Sequence, residues 1–489
     1  MIGKSRYSLP MGDARSNLKN GAEKSGEEQV AKPHISTSDG RAIWRVVQEF
    51  EKSQWWSPSN LYTAQLRGLG QLLSHAQKTV PYYKTKLGGE LALDAPLTAE
   101  QWTEIPQLRR AEISEAGVEL YSDALPKSHG AISYIHTSGT TGQPIRVRRS
   151  GRTALFWSAF TLRDHLWHQR DFTQKLAALR HAGDGQDPYP QGTRSKTWGP
   201  SGKVFKTGPA VSLNINCSLE QQMEWLKREE PGYLLTHPTV VLALANHCIR
   251  TGETLPGLRQ VQTLSEVLRD DVREACRAAW GVSMSDNYSS REVGYMALQC
   301  PNFDHYHVQA EGVFLEVLGD DGKSCQPGEI GRVVVTPLQN YSMPLLRYEI
   351  GDYAEVGGIC PCGRGLPVLN RILGRDQNML TLPNGERRWT LLSSDDIGRF
   401  LEIAPIRQYQ FVQTSPGDIE ARLACARGLS DEEEVRITNW LAEKFGFAFD
   451  VTFIYMPEIP RTAAGKFQDF ISEVDVGGSH QGSDGDSRK

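Results

Sequence analysis

Apolar residues along the chain recur with two different periods. From Ala42 to Lys52 and from Leu61 to Lys86 the spacing is helical, with Leu66, Leu69, Leu72, Leu73 and Ala76 on one face of the second segment. Tyr82 and Tyr83 close that segment behind Pro81. Leu97 to Glu119 reads as loop and short helix. Alternating apolar positions from Ala131 to Ile135 and from Ile145 to Arg149 predict two strands, and Ala154 to Trp167 predicts a helix. His181 to Ser201, rich in Gly, Pro and Asp, reads as a long irregular loop.

From Ser218 onward strands and helices alternate. Ser218 and Gln221 form a capping box for a helix through Leu226. Gly232 to Thr236 comes next as a short strand, then a helix over Val240 to Ile249 and a strand over Leu258 to Leu264. A helix over Asp270 to Trp280 and a strand over Val282 to Asn287 complete the series. This order predicts a parallel sheet covered by helices on both faces. After His305 the pattern turns to β: Val313 to Leu318, a Gly319-Asp320-Asp321-Gly322 turn, and Gly331 to Pro337. At Gly374-Arg375-Asp376 the texture changes again. A smaller unit succeeds it, with strands at Gln408 to Thr414 and Phe449 to Met456 and a helix opened by a Ser430/Glu433 capping box. The predicted organisation is a polar, disordered leader (1–40), a large domain (41–374), a small domain (375–475) and a disordered tail (476–489).

Composition narrows the class. A chain of 489 residues should hold two or more domains with sizeable cores. A net charge of −4 argues against a surface that coats nucleic acid. No stretch is apolar enough to span a membrane; the best candidate, Tyr233 to Ile249, contains His237, Pro238, Asn246 and His247. The polar N-terminal region lacks the apolar run of a signal peptide. Eight cysteines without an export signal therefore read as cytoplasmic thiols or metal ligands.

Five stretches carry chemistry. The first is His136-Thr137-Ser138-Gly139-Thr140-Thr141-Gly142-Gln143-Pro144, between the two early strands. Its glycines and hydroxyls suit a loop of backbone N–H groups around phosphate oxygens, or an ordinary turn. It is not a Walker loop, because no Gly-Lys-Ser/Thr comes after it. The second is Asp286-Asn287-Tyr288-Ser289-Ser290-Arg291-Glu292, at the end of a predicted parallel strand, where open sheets bind ligands. Tyr288 can stack on a base and Glu292 can hold Mg²⁺; the alternative is a strand-to-helix turn. The third is Arg347-Tyr348-Glu349-Ile350-Gly351-Asp352, in which Asp352 can accept from ribose hydroxyls or close a turn. The fourth, Arg371-Ile372-Leu373-Gly374-Arg375-Asp376-Gln377, reads alternatively as a basic linker. The fifth, Pro460-Arg461-Thr462-Ala463-Ala464-Gly465-Lys466, presents one lysine beside a glycine.

In this order the five stretches resemble the adenylate-forming superfamily of acyl-CoA synthetases, luciferases and adenylation domains, and more closely its phenylacetate–CoA ligase branch. Pro327-Gly328-Glu329-Ile330-Gly331-Arg332 and Tyr82-Tyr83 support the likeness, which covers Leu61 to Phe470. The resemblance implies an α/β fold: a large N-terminal domain of mixed and parallel sheets flanked by helices, with a β-structured subdomain, and a small mobile α+β C-terminal domain. It implies that Thr137, Ser138, Gly139, Thr140, Thr141 and Gly142 wrap the ATP phosphates. Ser265, Glu266, Asp286, Asn287 and Tyr288 would line the adenine pocket, with Ser290 in the same stretch. Glu292 would hold Mg²⁺, Asp352 the ribose, and Arg375 the ribose or phosphate. Lys466 would bridge the substrate carboxylate and the α-phosphate, and the small domain would turn at Asp376 or Gln377. The implied reaction joins a small carboxylic acid, aryl or arylacetic by analogy, to coenzyme A through an acyl-AMP. The rivals are another acceptor, or a silent nucleotide- or zinc-binding scaffold.

Cys300, His307 and the Cys360-Pro361-Cys362 knuckle, with His305 as an alternative to His307, form a candidate structural zinc set. Buried thiols beside a turn are the alternative; relatives of the phenylacetate–CoA ligase type with zinc at matching positions favour the metal. Cys217, Cys248, Cys276, Cys325 and Cys425 show no such pattern. The chain departs from the family at Ser289, Arg291 and Ile145-Arg146, and over Leu382 to Arg388 beside the expected thioester site. Trp198, His237 and the His181–Ser201 loop are candidates for the acyl pocket.

Overall fold

The chain is described by a computed structural model over residues 32–35, 37–87, 96–136, 145–183, 185–390, 392, 394–462 and 466–474. The predicted tail, residues 1–31 and 36 of the predicted leader and the Thr137–Gly142 stretch lie outside the described residues. The first helix spans Ser38–Ser53, capped by the Thr37 side chain, so it begins inside the predicted leader. The second spans Pro58–Thr79 and breaks before a short helix at Pro81–Lys86. The break is local chemistry: Val80 precedes proline and takes an extended conformation instead of continuing the helix.

The described residues form twenty strands. In the large part of the chain they are β1 (Ile132–His136), β2 (Arg146–Ser150), β3 (Leu176–Arg180), β4 (Thr193–Ser195), β5 (Ala210–Asn214), β6 (Tyr233–Thr236), β7 (Gln260–Leu264), β8 (Ser283–Ser290), β9 (Gly294–Gln299), β10 (Tyr306–Val308), β11 (Val313–Leu318), β12 (Ile330–Pro337), β13 (Tyr348–Val356) and β14 (Val368–Arg375). Then come β15 (Met379–Thr381), β16 (Arg387–Trp389), β17 (Ile406–Ser415), β18 (Asp418–Cys425), β19 (Asp450–Tyr455) and β20 (Phe470–Ser472). β1 and β2 pair as a separate antiparallel ribbon on either side of the undescribed stretch.

β3 to β14 form one sheet in the order β11-β12-β13-β14-β10-β9-β8-β7-β6-β3-β5-β4. Strands β5, β3, β6, β7 and β8 are parallel, and the rest of the sheet is antiparallel. The helices Leu219–Glu229, Pro238–Thr251 and Asp270–Trp280 connect the parallel strands, and both predicted capping boxes form. Ala177, Leu213, Leu234 and Val261 from the strands pack with Leu226, Val241, Leu244 and Cys276 from these helices. The predicted irregular loop is not irregular throughout: β4 lies inside it and pairs with β5. Among the described residues no helix is long and apolar enough to cross a membrane.

β17 to β20 make a second sheet, ordered β19-β18-β17-β20. With the helices Ser394–Leu401 and Asp431–Phe445 it encloses its own core of Phe400, Phe411, Ile437, Trp440, Leu441 and Phe470. The chain passes to this sheet at Gly374, whose φ of +94° favours glycine, and a Cβ there would stand 3.3 Å from Val267 and from the Asn378 side chain. Gly374→Ala is expected to cost about 1–2 kcal/mol in stability, because alanine meets both the left-handed backbone and a tight neighbour. Urea unfolding checks this; an unchanged midpoint contradicts it.

Candidate active site

β6, β7 and β8 run parallel and in step: Thr236 pairs with Thr263, Thr263 with Asp286, and Leu264 with Asn287. The turns that leave β6 and β7 therefore emerge beside the later part of β8, along one edge of the sheet, where ligands of open α/β sheets bind. His237, Ser265, Glu266, Asn287 and Tyr288 all lie there. Ser265 is a non-glycine residue with φ +72°, a sparsely populated conformation that neighbouring structure must hold in place.

The five predicted adenine-pocket residues have different surroundings. Asp286 is buried and accepts hydrogen bonds from Thr263 Oγ1 and Tyr306 Oη, each at 2.7 Å. Burial raises its pKa despite these donors. Its two oxygens thus tie β8 to β7 beside it and to β10 across β9. Asn287 is buried too, and its Oδ1 has no hydrogen-bond partner among the described residues. A buried acceptor without a donor leaves a place for a ligand or water to complete. Tyr288 donates its hydroxyl to Asp352 Oδ2 at 2.8 Å. Ser290 accepts from the Val293 N–H at 3.1 Å, shaping the turn before β9.

β13 and β14 bring Asp352 directly opposite Arg375 in register, and Arg375 Nε lies 3.3 Å from Asp352 Oδ1. Lys466, more than ninety residues beyond Arg375 in the chain, joins this group. Burial and the nearby Arg375 guanidinium lower its pKa, while Asp352, Glu266 and Glu292 work in the opposite direction. One arginine and three carboxylates therefore act electrostatically on this lysine. Asp352 in turn has its pKa raised, chiefly by burial, against the pull of Arg375, Tyr288 and Lys466.

Glu292 is buried and paired with Arg110 Nη1 at 3.2 Å. Arg110 begins the short helix Arg110–Ala116, and nothing in the spacing of its surroundings marks it out. Arg291, one of the family departures, donates to the His136 carbonyl at 3.0 Å, so it faces the end of β1. Glu266 accepts from Thr239 N at 3.1 Å and Thr239 Oγ1 at 2.8 Å, with His237 Nδ1 3.3 Å away. It also accepts from the Phe467 N–H at 2.8 Å, and Arg461 lies 3.6 Å from it. Burial pushes its pKa up, but His237, the Phe467 N–H and Arg461 outweigh that and hold it low. Glu266, expected at the adenine, is thus occupied with the segment that carries Lys466. Asp376 and Gln377, the expected hinge, begin a short 3₁₀ turn at Asp376–Asn378. Of the acyl-pocket candidates, Trp198 is a core residue. It is buried against Phe172, His165 and Tyr233 and donates to the Gln174 carbonyl at 3.0 Å.

A separate group lies where β9 and β10 meet the loop before β14. Ligand atoms of Cys300, His307, Cys360 and Cys362 all fall within 4.8 Å of one another. Cys300 Sγ and Cys360 Sγ are 3.9 Å apart, close to the roughly 3.8 Å separating two sulfurs of a tetrahedral zinc site. His307 Nε2 is 3.4 Å from Cys362 Sγ, while His305 Nε2 is 2.9 Å from Cys360 Sγ. Burial, with help from Arg364 and His305, lowers the His307 pKa to about 3, which leaves the neutral imidazole that metals bind.

No protein-family model matches the chain. Curated proteins do. It is 23% identical over 382 residues to an uncharacterized acyl–CoA ligase of Bacillus subtilis, covering 73% of this chain and 70% of that one. It is 23% identical over 434 residues to the phenylacetate–coenzyme A ligase of Thermus thermophilus, covering 82% of this chain and 94% of that one. Among solved structures, a 2-hydroxyisobutyryl-CoA ligase in the postadenylation state with a bound acyl-AMP superimposes with a TM-score of 0.66 at 17% identity, over 86% of this chain and 92% of that one. The same ligase with 2-HIB-AMP and CoA in the thioesterification state gives a TM-score of 0.55 at 17% identity, over 87% and 92%. The fold is that of these adenylate-forming ligases.

Burial and Arg375 both disfavour the ammonium form of Lys466, so it should titrate below the ordinary lysine value of 10.5. Carbon-13 methyl labelling of lysines, with Lys466→Arg to assign the signal, measures this by NMR. A midpoint at or above 10.5 contradicts the described site.

Proposed function

We propose that this chain, a member of the adenylate-forming superfamily by fold and sequence, is an ATP-dependent ligase that joins a small carboxylic acid to coenzyme A. The carrying observation is the position of Lys466. A lysine from the C-terminal segment shares one electrostatic cluster with Arg375, Asp352 and Glu292 from the large sheet and its flanks. A silent scaffold has no need of a half-buried amine beside an arginine in that position.

The chemistry is set by the charges. A carboxylate is a poor electrophile, so its oxygen attacks the α-phosphorus of ATP. A new oxygen–phosphorus bond forms, the bond to the β-phosphate bridging oxygen breaks, and pyrophosphate leaves. This brings one anion against another, and cations must stand where negative charge accumulates. Lys466 supplies one between carboxylate and α-phosphate, and Arg375 a second beside the ribose or phosphate. Asp352, aligned by Tyr288, accepts from the ribose hydroxyls, and the unpartnered Asn287 Oδ1 suits the adenine amino group. Glu292 offers a carboxylate for Mg²⁺, which supplies charge neutralisation at the phosphates when bound; Arg110 holds that carboxylate in place. In the second step the coenzyme A sulfur attacks the acyl carbon, the bond to AMP breaks, and the thiol proton is lost to solvent or base. Turning of the C-terminal unit near Asp376 and Gln377 would remove Lys466 between the two steps. The substrate we favour is an aryl or arylacetic acid, by likeness to the Thermus thermophilus enzyme.

Acid-dependent exchange of labelled pyrophosphate into ATP tests the first step, and product analysis with and without coenzyme A tests the second. Lys466→Ala is expected to lower exchange by about 10²–10³-fold, the scale of losing one positioned charge, while leaving capture of supplied acyl-AMP unaffected. Equal loss in both steps contradicts the assigned role, and no exchange across a broad panel of acids overturns the ligase.

We also propose that Cys300, His307, Cys360 and Cys362 hold a structural zinc ion. Four protein ligands would leave no open position for catalysis. Metal analysis of the purified protein should find one zinc per chain, and Cys362→Ser should lower both zinc content and thermal stability. A zinc-free unmutated protein refutes the site.

A further inference from the structure

The loop that ends β7 touches the lysine-bearing segment at two points. Glu266 accepts the Phe467 N–H at 2.8 Å. Three residues on, the Arg269 guanidinium pairs with the Asp469 carboxylate. Glu266 and Arg269 thus meet Phe467 and Asp469, the first and third residues after Lys466. We infer that this two-point latch is the device that seats Lys466 over the nucleotide, and that Arg269 and Asp469 are positioning residues for the adenylation step. The functional half of this inference rests on the ligase reading above.

Both sides of the latch are built rigidly. Arg269 is gripped by Asp271, with Nε and Nη2 donating to the two carboxylate oxygens at 2.9 and 2.8 Å. The guanidinium is therefore oriented before Asp469 arrives, and little side-chain freedom is lost on pairing. Arg269 also caps the helix Asp270–Trp280, which fixes its backbone. On the other side, the Asp469 carbonyl accepts from Phe411 N–H at 2.8 Å and the Gln468 carbonyl from Gln410 Nε2 at 2.8 Å. These bonds continue the pairing of β20 with β17. Thr462 and Lys466 close their own loop, Thr462 N–H to the Lys466 carbonyl at 2.8 Å and Lys466 N–H to Thr462 Oγ1 at 3.1 Å. A third tie, Asn378 Nδ2 to the Phe470 carbonyl at 2.8 Å, lies within the C-terminal part and would travel with it.

The electrostatics give the latch a purpose. A half-buried amine beside Arg375 is disfavoured, so the segment needs contacts elsewhere to stay seated. A charge pair at Asp469 and a charge-accepted N–H at Phe467 supply them. Neither uses the Lys466 side chain, so both can break as the unit turns while Arg375 and Asp352 stay paired.

Amide hydrogen exchange of the full chain, without any ligand, tests the latch directly. The Phe467 amide should be protected in the unmutated protein. Arg269→Glu and Asp469→Arg should each speed its exchange by roughly tenfold, and the double charge swap should restore most of the protection. In parallel, each single variant should lose roughly tenfold in pyrophosphate exchange with phenylacetate while keeping its rate of thioester formation from supplied phenylacetyl-AMP and coenzyme A. The swap should recover the first rate. Free-peptide exchange at Phe467, unchanged exchange in both single variants, or no recovery in the swap overturns the latch. Equal loss of both half-reactions overturns the positioning role. An unmutated protein with a protected Phe467 amide but no pyrophosphate exchange with any acid removes the ligase reading and leaves the latch standing.

Discussion

A half-buried lysine is the constraint around which the site is arranged. An ammonium partly withdrawn from water beside an arginine is disfavoured on both counts. It persists because Asp352, Glu266 and Glu292 approach it from different elements. Asp352 comes from β13, Glu266 from the turn after β7, and Glu292 from the turn after β8. Each has a second engagement that keeps it ionisable or oriented: Tyr288 and Arg375 on Asp352, Thr239 and His237 on Glu266, Arg110 on Glu292. The parallel sheet matters to function mainly because its register carries two of these carboxylates to one edge.

This arrangement also explains a mixed sheet. Parallel strands require helical crossovers and leave their carboxyl ends free for a ligand. The antiparallel half, β9 to β14, requires only turns. It brings Asp352 and Arg375 opposite each other across one pair of neighbouring strands. A ligand held between the halves would meet backbone edges from one and paired charges from the other. The Cys300–Cys362 group lies at the β9–β10 turn and the loop before β14, on the antiparallel side. A metal there would brace the strands that carry Asp352 and Arg375.

Much of this was legible in the residues. Asp270 to Trp280 was readable as a helix and Val313 to Leu318 as a strand because their periods are clean and their ends are marked. The capping boxes at Ser218 and Ser430 were readable because the motif is local. β3 and β5 carry no comparable mark, because they are short and lie among irregular segments, whereas β18 alternates polar and apolar residues as a half-buried strand does. The register that sets Asp352 against Arg375 is invisible in either segment alone, because it depends on how β13 bulges against β14.

Arg110, Arg269 and Thr239 are unmarked in the sequence, whereas Lys466 belongs to a recognisable run of residues and its neighbours identify it. Arg110 and Arg269 act through partners 182 and 200 residues away, and nothing adjacent encodes that pairing. Glu266 shows the opposite case. The family resemblance implied a place at the adenine for it, and its carboxylate accepts from Thr239 and from the Phe467 N–H. A motif fixes which residue stands at a site, whereas tertiary contacts decide which partner that residue has. Within the proposed ligase that difference has a consequence: Glu266, beside the strand ends of the site, would hold the C-terminal segment, and Lys466, far from them in sequence, would serve the chemistry.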